Sequence, residues 1–557
     1  MQRLFKLRLI LETQFYESLR TIPVEVFAIN FGGHPTSSLL QPGDKRSSAA
    51  MSAREAGGIE CCEVDEKGVT ESGSLPAFAS SWVAELEVHE HPRHWSLARK
   101  VYHNAIFLFL TLITTYTSGV YSPGVQALMQ DVLTSTTVAH LGTSLYMFGL
   151  AIGSLLWGPL SQVLGRRPVF LASLLSMVLL NLGASLANNM AGIVTCRALA
   201  GVTGAAIFSN VAGSIVDMTS ERERIPYNSL FRLMTFLGPP AAALLGAVAV
   251  EDASWRWNLR SIPIVCATGF LLYATTCQET YVPVLQEKKA ARLRKSLRAA
   301  QQPHPTLLQR FAHAMWCLLE DMELIGPLAL RIVRSLFIPW VLLFEEPLVI
   351  VVCFYTSMLY GLLYGALQFF PDVWHDIRGL TPVQVGYTYL AVIAGFVLST
   401  AIVGCGIQEV QYRRAYDQNE HTPELRIRSG MFSLFFVPVG LFIFAWTAPF
   451  PHVHWTGPCI GILCFSFGML SVFNSWMAYL TDTYSNNTAA VIAINTFCRS
   501  ALAGAFPLFT QPMIHTMTFQ GAMSMFGGVS IPLTCIGMYF AIYGKHLRHK
   551  SKHAVYG

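Results

Sequence analysis

The string Gly158-Pro-Leu-Ser-Gln-Val-Leu-Gly-Arg-Arg-Pro168 closes one long apolar stretch, Val132–Gly165, and opens another, Pro168–Cys196. Neither stretch contains Asp, Glu, Lys or Arg. A bilayer core about 30 Å thick is crossed by roughly 20 apolar helical residues. Each stretch is therefore long enough to span a membrane, and the arginines between them mark the loop that joins two spans. Gly158 and Gly165 let two helices and their loop approach closely. Arg166 and Arg167 set fixed positive charge at the membrane surface, available to helix C-termini and to acids such as Asp217.

Outward from this loop the same reading repeats. Val101–Gln130 precedes it, and a segment from about Met190 to Val216, interrupted by Arg197, follows it. Leu233–Val250 and Ser261–Gln278 complete a set of six spans. A second set begins with Pro347–Pro371 and Gly379–Gln408. Gly430–Thr481 is too long for one span and divides at Ala448-Pro-Phe-Pro-His452, where prolines turn the chain. Thr483–Phe540 is apolar except for Arg499 and divides near Gln511-Pro512. The expectation is an all-α membrane protein of twelve transmembrane helices in two six-helix bundles.

Composition agrees. Hydrophobic residues make up 53% of the 557 and charged residues 13%, about half of the roughly 25% usual in soluble proteins. The net charge of +5 is spread along the chain, and no clustered basic face suggests nucleic acid. Lys and Arg gather in alternate loops. Arg166, Arg167, Arg222, Arg224, Arg413, Arg414, Arg426 and Arg428 stand on one side, with only Arg256, Arg260 and Arg378 on the other. By the positive-inside rule both termini are cytoplasmic.

The domain reading follows: residues 1–100 a cytoplasmic, largely disordered tail, 101–278 the first bundle, and 279–346 a cytoplasmic central loop. Residues 347–543 form the second bundle and 544–557 a basic cytoplasmic tail. The twelve cysteines show no paired spacing of a disulfide or zinc framework, so no metal is expected. The sequon Asn486-Asn487-Thr488 falls in an inner loop and is expected to stay unmodified.

The Gly158–Pro168 string resembles the signature loop of the major facilitator superfamily, and its Gly-Pro-Leu-Ser form resembles that of fungal twelve-span drug:proton antiporters. Arg197-Ala-Leu-Ala-Gly201-Val-Thr-Gly204 resembles the fourth-span motif of that branch. Gly238-Pro239 followed by Gly246 resembles its fifth-span antiporter motif. Gln278-Glu279-Thr280-Tyr281, Tyr479-Leu-Thr-Asp482-Thr-Tyr484 and Arg499-Ser500 also fit. Two departures stand out. The branch usually has Glu where this chain has Gln162, so one acid of the inner charge latch is missing. Further small residues of the fifth-span motif appear as Ala242, Ala243 and Ala247, which implies a straighter helix.

The resemblance implies proton-coupled efflux of hydrophobic or amphipathic small molecules (drugs, secondary-metabolite toxins or polyamines) by alternating access. The energy source is the proton gradient, with no cofactor, and the protein is a monomer in the plasma membrane or, alternatively, the vacuolar membrane. Its partners are the small-molecule substrate and the lipid bilayer. A small-nutrient importer of the same fold and a non-transporting receptor or scaffold are the alternatives. No P-loop, metal motif or nucleophile elbow points to an enzyme.

For the site, Gly158, Gln162, Gly165, Arg166, Arg167 and Asp217 are the gating-loop residues, and Gly238, Pro239 and Gly246 the antiporter motif. Arg197 and Arg499 are charges within spans, where a charged group is costly and faces a cavity or a partner. Arg197 organises coupling or the cavity, or else bonds backbone carbonyls as a structural arginine. Tyr116, Tyr121, Tyr355, Tyr360, Tyr364, Asn474 and Asn495 are polar-tipped groups in apolar helices that could line a midplane pathway between the halves, or simply pack. Gly149-x-x-x-Gly153 and Gly361-x-x-x-Gly365 read as helix-packing faces. No acid stands clearly at mid-membrane, so the sequence names no proton carrier.

Overall fold

The computed structural model describes residues 86–87, 89–220, 223–301, 335–417, 422–549 and 551. Nearly all of the expected N-terminal tail, residues 302–334 of the central loop and residues 552–557 lie outside the described residues. Every regular element among the described residues is helical. The first half comprises α1 (Leu97–Gly119), α2 (Thr136–Leu164), α3 (Arg166–Leu186), α4 (Met190–Met218), α5 (Arg224–Asp252) and α6 (Trp255–Thr276). The second comprises α7 (Pro347–Pro371), α8 (Pro382–Ser399), α9 (Phe436–Thr447), α10 (Thr456–Thr483), α11 (Thr488–Thr516) and α12 (Phe519–His549).

Local chemistry sets the helix starts. Asn189 Oδ1 accepts from the Gly192 amide at 2.9 Å and caps α4. Thr381 and Gln384 form a reciprocal capping box around α8, with Pro382 at the first helical position. Between α2 and α3 the chain turns at Gly165, whose φ of +93° lies in the region that suits glycine. Beyond Ser399, α8 continues as a π-helical segment, Thr400–Gln408, which completes the expected span.

Among the described residues, eleven helices are long and apolar enough to cross a membrane. The ninth expected span is shorter. Glu424–Ser429 carries Glu424, Arg426 and Arg428, forms its own short helix and ends at Gly430. That leaves Met431–Thr447 as the apolar remainder, roughly 26 Å of helix, at the lower limit for spanning. The central loop also contributes a short apolar helix, Ser335–Glu345. Its Trp340 meets the Phe497 ring edge-on at 5.0 Å.

Small residues set the closest crossings. A Cβ on Gly149 would stand 2.2 Å from the Ala198 carbonyl oxygen, and one on Gly201 2.1 Å from that of Tyr146. At these positions α2 and α4 meet backbone to backbone, as the Gly149–Gly153 spacing implies. Gly361 and Gly365 instead make room for the Phe506 and Phe526 rings. Gly158 departs from expectation: nothing lies within 4 Å of where its Cβ would be. It sits within α2, and the turn of the backbone falls seven residues later, at Gly165.

Large apolar side chains cover the outside, among them Leu179, Leu271, Phe354, Trp446, Ile460 and Ile542. A water-soluble monomer rarely exposes so much contiguous apolar surface. One buried core belongs wholly to the first half. The other joins Tyr146, Phe208 and Phe236 of the first half to α7–α12. The halves meet where α2 lies along α11 and α5 along α8.

Candidate functional site: the charged loop and the interface between halves

The gating loop is organised by a residue outside it. Glu279, just past α6, directs its carboxylate at the start of α3, where Oε1 accepts from the Arg166 amide at 2.9 Å and Oε2 from the Arg167 amide at 3.1 Å. Oε1 also accepts from the amides of Thr280 and Tyr281. An anion at a helix N-terminus satisfies free amides and the helix dipole together. A Cβ at Gly165 would stand 2.7 Å from this carboxylate, so the glycine is required here by space as well as by φ.

The Arg166 side chain is buried. It donates from Nη1 to Ser161 Oγ at 2.7 Å and from Nε to Asp217 Oδ2 at 3.3 Å, and lies 5.1 Å over the Tyr281 ring. Burial beside it pushes the Tyr281 phenol above its usual range, partly offset by the guanidinium. Arg167 is exposed and donates to the Ala274 carbonyl. Gln162 is exposed and stands outside the network. Two acids, Asp217 and Glu279, thus stand at this loop, the second supplied from the end of α6. The acid expected at position 162 is absent, and Gln162 takes no part.

The second half carries a counterpart. Arg426, in the short helix Glu424–Ser429 before α9, pairs with Asp482 at 2.9 Å and lies 4.0 Å over the Tyr412 ring. Asp217 and Asp482 are the penultimate residues of α4 and α10, helices six apart in the order. Buried Arg548 pairs with Glu424 at 2.9 Å. Glu346 accepts from the Tyr484 and Ser551 hydroxyls at 3.0 and 2.5 Å. A removed partner would leave a buried charge uncompensated, which typically costs 3–5 kcal/mol.

Within the first half, Arg197 is fully buried. It donates from Nε to the Gly142 carbonyl at 2.8 Å and from Nη2 to that of Thr117 at 3.1 Å. Its guanidinium lies 4.6 Å from the Tyr121 ring and 5.3 Å from that of Tyr146. Tyr121 and Tyr146 donate in turn to the carbonyls of Ala139 and Thr114. Arg197 therefore ties α1, α2 and α4 together. Tyr116, bonded to Ser261 at 3.2 Å, also serves this half internally. The antiporter motif lies against α1: Gly238 faces Thr115, Pro239 faces Gly119 and Gly246 faces Val120 and Pro123. With alanines at 242, 243 and 247, α5 runs unbroken through Pro239 and Pro240.

The interface brings together Tyr360, Tyr364, Asn474 and Arg499. The Tyr364 and Ser118 hydroxyls bond across it at 2.8 Å. Phe236 of α5 packs on Tyr360, Phe396 and Phe473 at 5.3, 5.7 and 4.8 Å. Arg499, eleven residues and about 16 Å into α11, lies 5.1 Å from the Tyr360 ring, 5.4 Å from Phe473 and 5.6 Å from Phe208. Tyr355, against Trp476, and Asn495, bonded to Thr356 at 2.6 Å, stay inside the second half.

Sequence reasoning missed two groups here. Arg232 is buried in α5 and donates from Nη1 to the Asn474 carbonyl oxygen at 3.3 Å, across the interface. Starting the fifth span at Leu233, just past this charge, hid it; the helix starts at Arg224. Phe208, Phe236 and Phe473 gave no signal, since an aromatic residue in an apolar helix is unremarked until its neighbours are known.

Two similar halves, a charged loop repeated in each and a buried aromatic seam between them are the frame within which residues 107–508 match the family model described as Major Facilitator Superfamily. The chain belongs to that superfamily. It is 31% identical over 452 residues to "Efflux pump FUBT" of Fusarium oxysporum, covering 80% of this chain and 72% of that one. It is 30% identical over 462 residues to "Probable drug/proton antiporter YHK8" of Saccharomyces cerevisiae, covering 83% and 87%. Among solved structures, the proton:xylose symporter XylE matches with a TM-score of 0.56 at 14% identity, covering 80% of this chain and 97% of that one, a likeness of fold alone. This superfamily member is a multi-pass membrane transporter and not an enzyme.

Proposed function

We propose that the protein exports hydrophobic or amphipathic small molecules by alternating access, driven by proton antiport. The observation that carries this reading is the seam between the halves: an aromatic interior crossed by few polar links, some to either side of its middle. Toward the Arg166 end, Arg232 reaches the Asn474 carbonyl and Ser154 Oγ reaches the Ala493 carbonyl at 3.2 Å. Toward the other end, Ser118 meets Tyr364, and Glu251 accepts from the Val383 amide at 2.9 Å. A hydrogen bond contributes a net of about 0.5–1.5 kcal/mol. Either pair can therefore open while the other holds, which is the rocking that alternating access requires.

In this reading both termini are cytoplasmic, and the Arg166–Asp217 and Arg426–Asp482 pairs brace the face toward the cytoplasm. The carrier acts as a monomer, needs no cofactor and works in the plasma membrane, with the vacuolar membrane as the second location. The names of the efflux pump and of the drug/proton antiporter support the direction. The aromatic seam supports the cargo, since apolar area with a few hydrogen bonds suits amphipathic molecules. The test is accumulation of a compound panel in cells expressing or lacking the protein, with and without a proton uncoupler. Lower accumulation that an uncoupler abolishes is expected. No protein-dependent compound would overturn export, and dependence that survives uncoupling would overturn proton antiport.

A further inference from the structure

We propose that the seam beside Arg499, as the halves part, receives an anionic aromatic cargo, an organic monocarboxylate whose carboxylate takes this guanidinium as its counter-ion. The inference rests on the export reading above and narrows its substrate class.

The three arginines buried within spans differ in what compensates them. Arg197 donates to two backbone carbonyls, with its Nη1 left without a partner, and Arg232 donates to one. Arg499 is buried, its Nε has no hydrogen-bond partner, and among the described residues it pairs with no carboxylate. Its neighbours are the faces of Phe208, Tyr360 and Phe473. An arginine does not lose its proton at accessible pH, so the charge stays. Ring faces compensate it only in part, and a bidentate carboxylate is the partner whose geometry a guanidinium fits best.

The position suits a ligand. Phe208 belongs to the first half and Tyr360, Phe473 and Arg499 to the second, so the group sits where separation of the halves opens space. Beside Phe473, the Asn474 side-chain amide is fully buried with neither its nitrogen nor its oxygen bonded. A flat aromatic body can take the place of the Phe236–Phe473 contact, its carboxylate on Arg499 and a polar substituent on Asn474. A cationic cargo such as a polyamine would meet a fixed like charge there, and a neutral one would leave that charge uncompensated.

The test uses the purified full chain. Binding of 1-naphthoate, its methyl ester and 1-naphthylmethylamine is compared by ligand fluorescence, and export of the same three from expressing cells is measured with and without uncoupler. Naphthoate should bind at least tenfold more tightly than the ester or the amine. Arg499→Gln should remove that preference while leaving ester binding unchanged, and Arg499→Lys should retain part of it. Equal or better binding of the amine or ester overturns the proposal, as does an acid preference that survives in Arg499→Gln. If Arg499→Gln does not reach the membrane, the wild-type preference among the three probes decides. Export of amines or esters but not of the acid sinks the anionic cargo and leaves export standing. Arg499-dependent binding of naphthoate with no export of any compound sinks export and leaves the site standing.

Discussion

Glu279→Ala tests whether the gating loop is held by the carboxylate found at the end of α6. The substitution leaves four backbone amides, those of Arg166, Arg167, Thr280 and Tyr281, without their acceptor. Water can reach the exposed flank at Arg167 and satisfy part of the loss, but Arg166 and Thr280 are buried. It also removes one of the two acids near buried Arg166, leaving Asp217 alone. Breaking a buried charge arrangement typically costs 3–5 kcal/mol, and the anion's interaction with the α3 N-terminus is worth about 0.3–2 kcal/mol within that total. Roughly 4 kcal/mol of destabilisation is expected. Glu279→Gln retains an acceptor at Oε1 and loses chiefly the Arg167 bond and the charge, so about half that cost is expected.

The comparison variant is Gln162→Ala, at the position where the family resemblance implies an acid. Gln162 is exposed and outside the network, and surface changes of this kind stay within about 0.5 kcal/mol. Unfolding of the full chain in mixed micelles, followed by far-UV circular dichroism, ranks the three variants. A Gln162→Ala loss equal to that of Glu279→Ala would refute the assignment of the latch acid, and so would an unchanged Glu279→Ala.

Other perturbations have equally direct outcomes. Gly149→Ala drives a methyl into the Ala198 carbonyl at 2.2 Å and should cost about 1–3 kcal/mol by overpacking. Gly158→Ala meets nothing and should be neutral or stabilise by up to about 1 kcal/mol; the same unfolding titration separates them. Arg232→Ala removes a link toward the Arg166 end of the seam, so thiol labelling of an Ala493→Cys reporter should speed up roughly tenfold, the equivalent of about 1.4 kcal/mol; an unchanged rate would mean that the link does not hold the seam closed. Arg197→Ala should abolish transport while the protein still reaches the membrane, checked by uptake and surface labelling; normal transport would remove Arg197 from the mechanism.

Much of the fold was legible because lipid imposes a simple rule: apolar helices of a set length, with charge kept to their ends. That rule located eleven of the spanning helices. The ninth, expected from Gly430 to the turn at Ala448, is the apolar run Met431–Thr447, shorter than the rest because charged Glu424–Ser429 forms a separate helix before it. Applied to α5, the same rule hid Arg232, since it treats every charge as a boundary and this one is buried within the helix. The site was legible where chemistry is carried by rare residues. Arg166, Asp217 and Gly165 stand together as their types implied. It was illegible where the partner is remote in sequence: Glu279 lies 113 residues from Arg166, and only the fold aims its carboxylate at the start of α3.

The buried arginines show how location decides between a structural and a transporting role. Arg197 faces its own half, and the two carbonyls it holds move with it whatever the other half does. Its bonds can therefore persist through the transport cycle, and its loss should disturb the shape of the first half before any cargo arrives. Arg232 spends its hydrogen bond on the opposite half, so opening at the Arg166 end must break it. Arg499 faces the seam with rings from both halves and, among the described residues, no anion, so it alone among the three gains a partner when the seam opens to a carboxylate. Three arginines of equal charge thus differ by whether opening leaves their contacts intact, costs them or completes them. For Arg499, a cargo acid that arrives as the halves part replaces ring contacts with an ion pair, which couples anion binding to the opening itself.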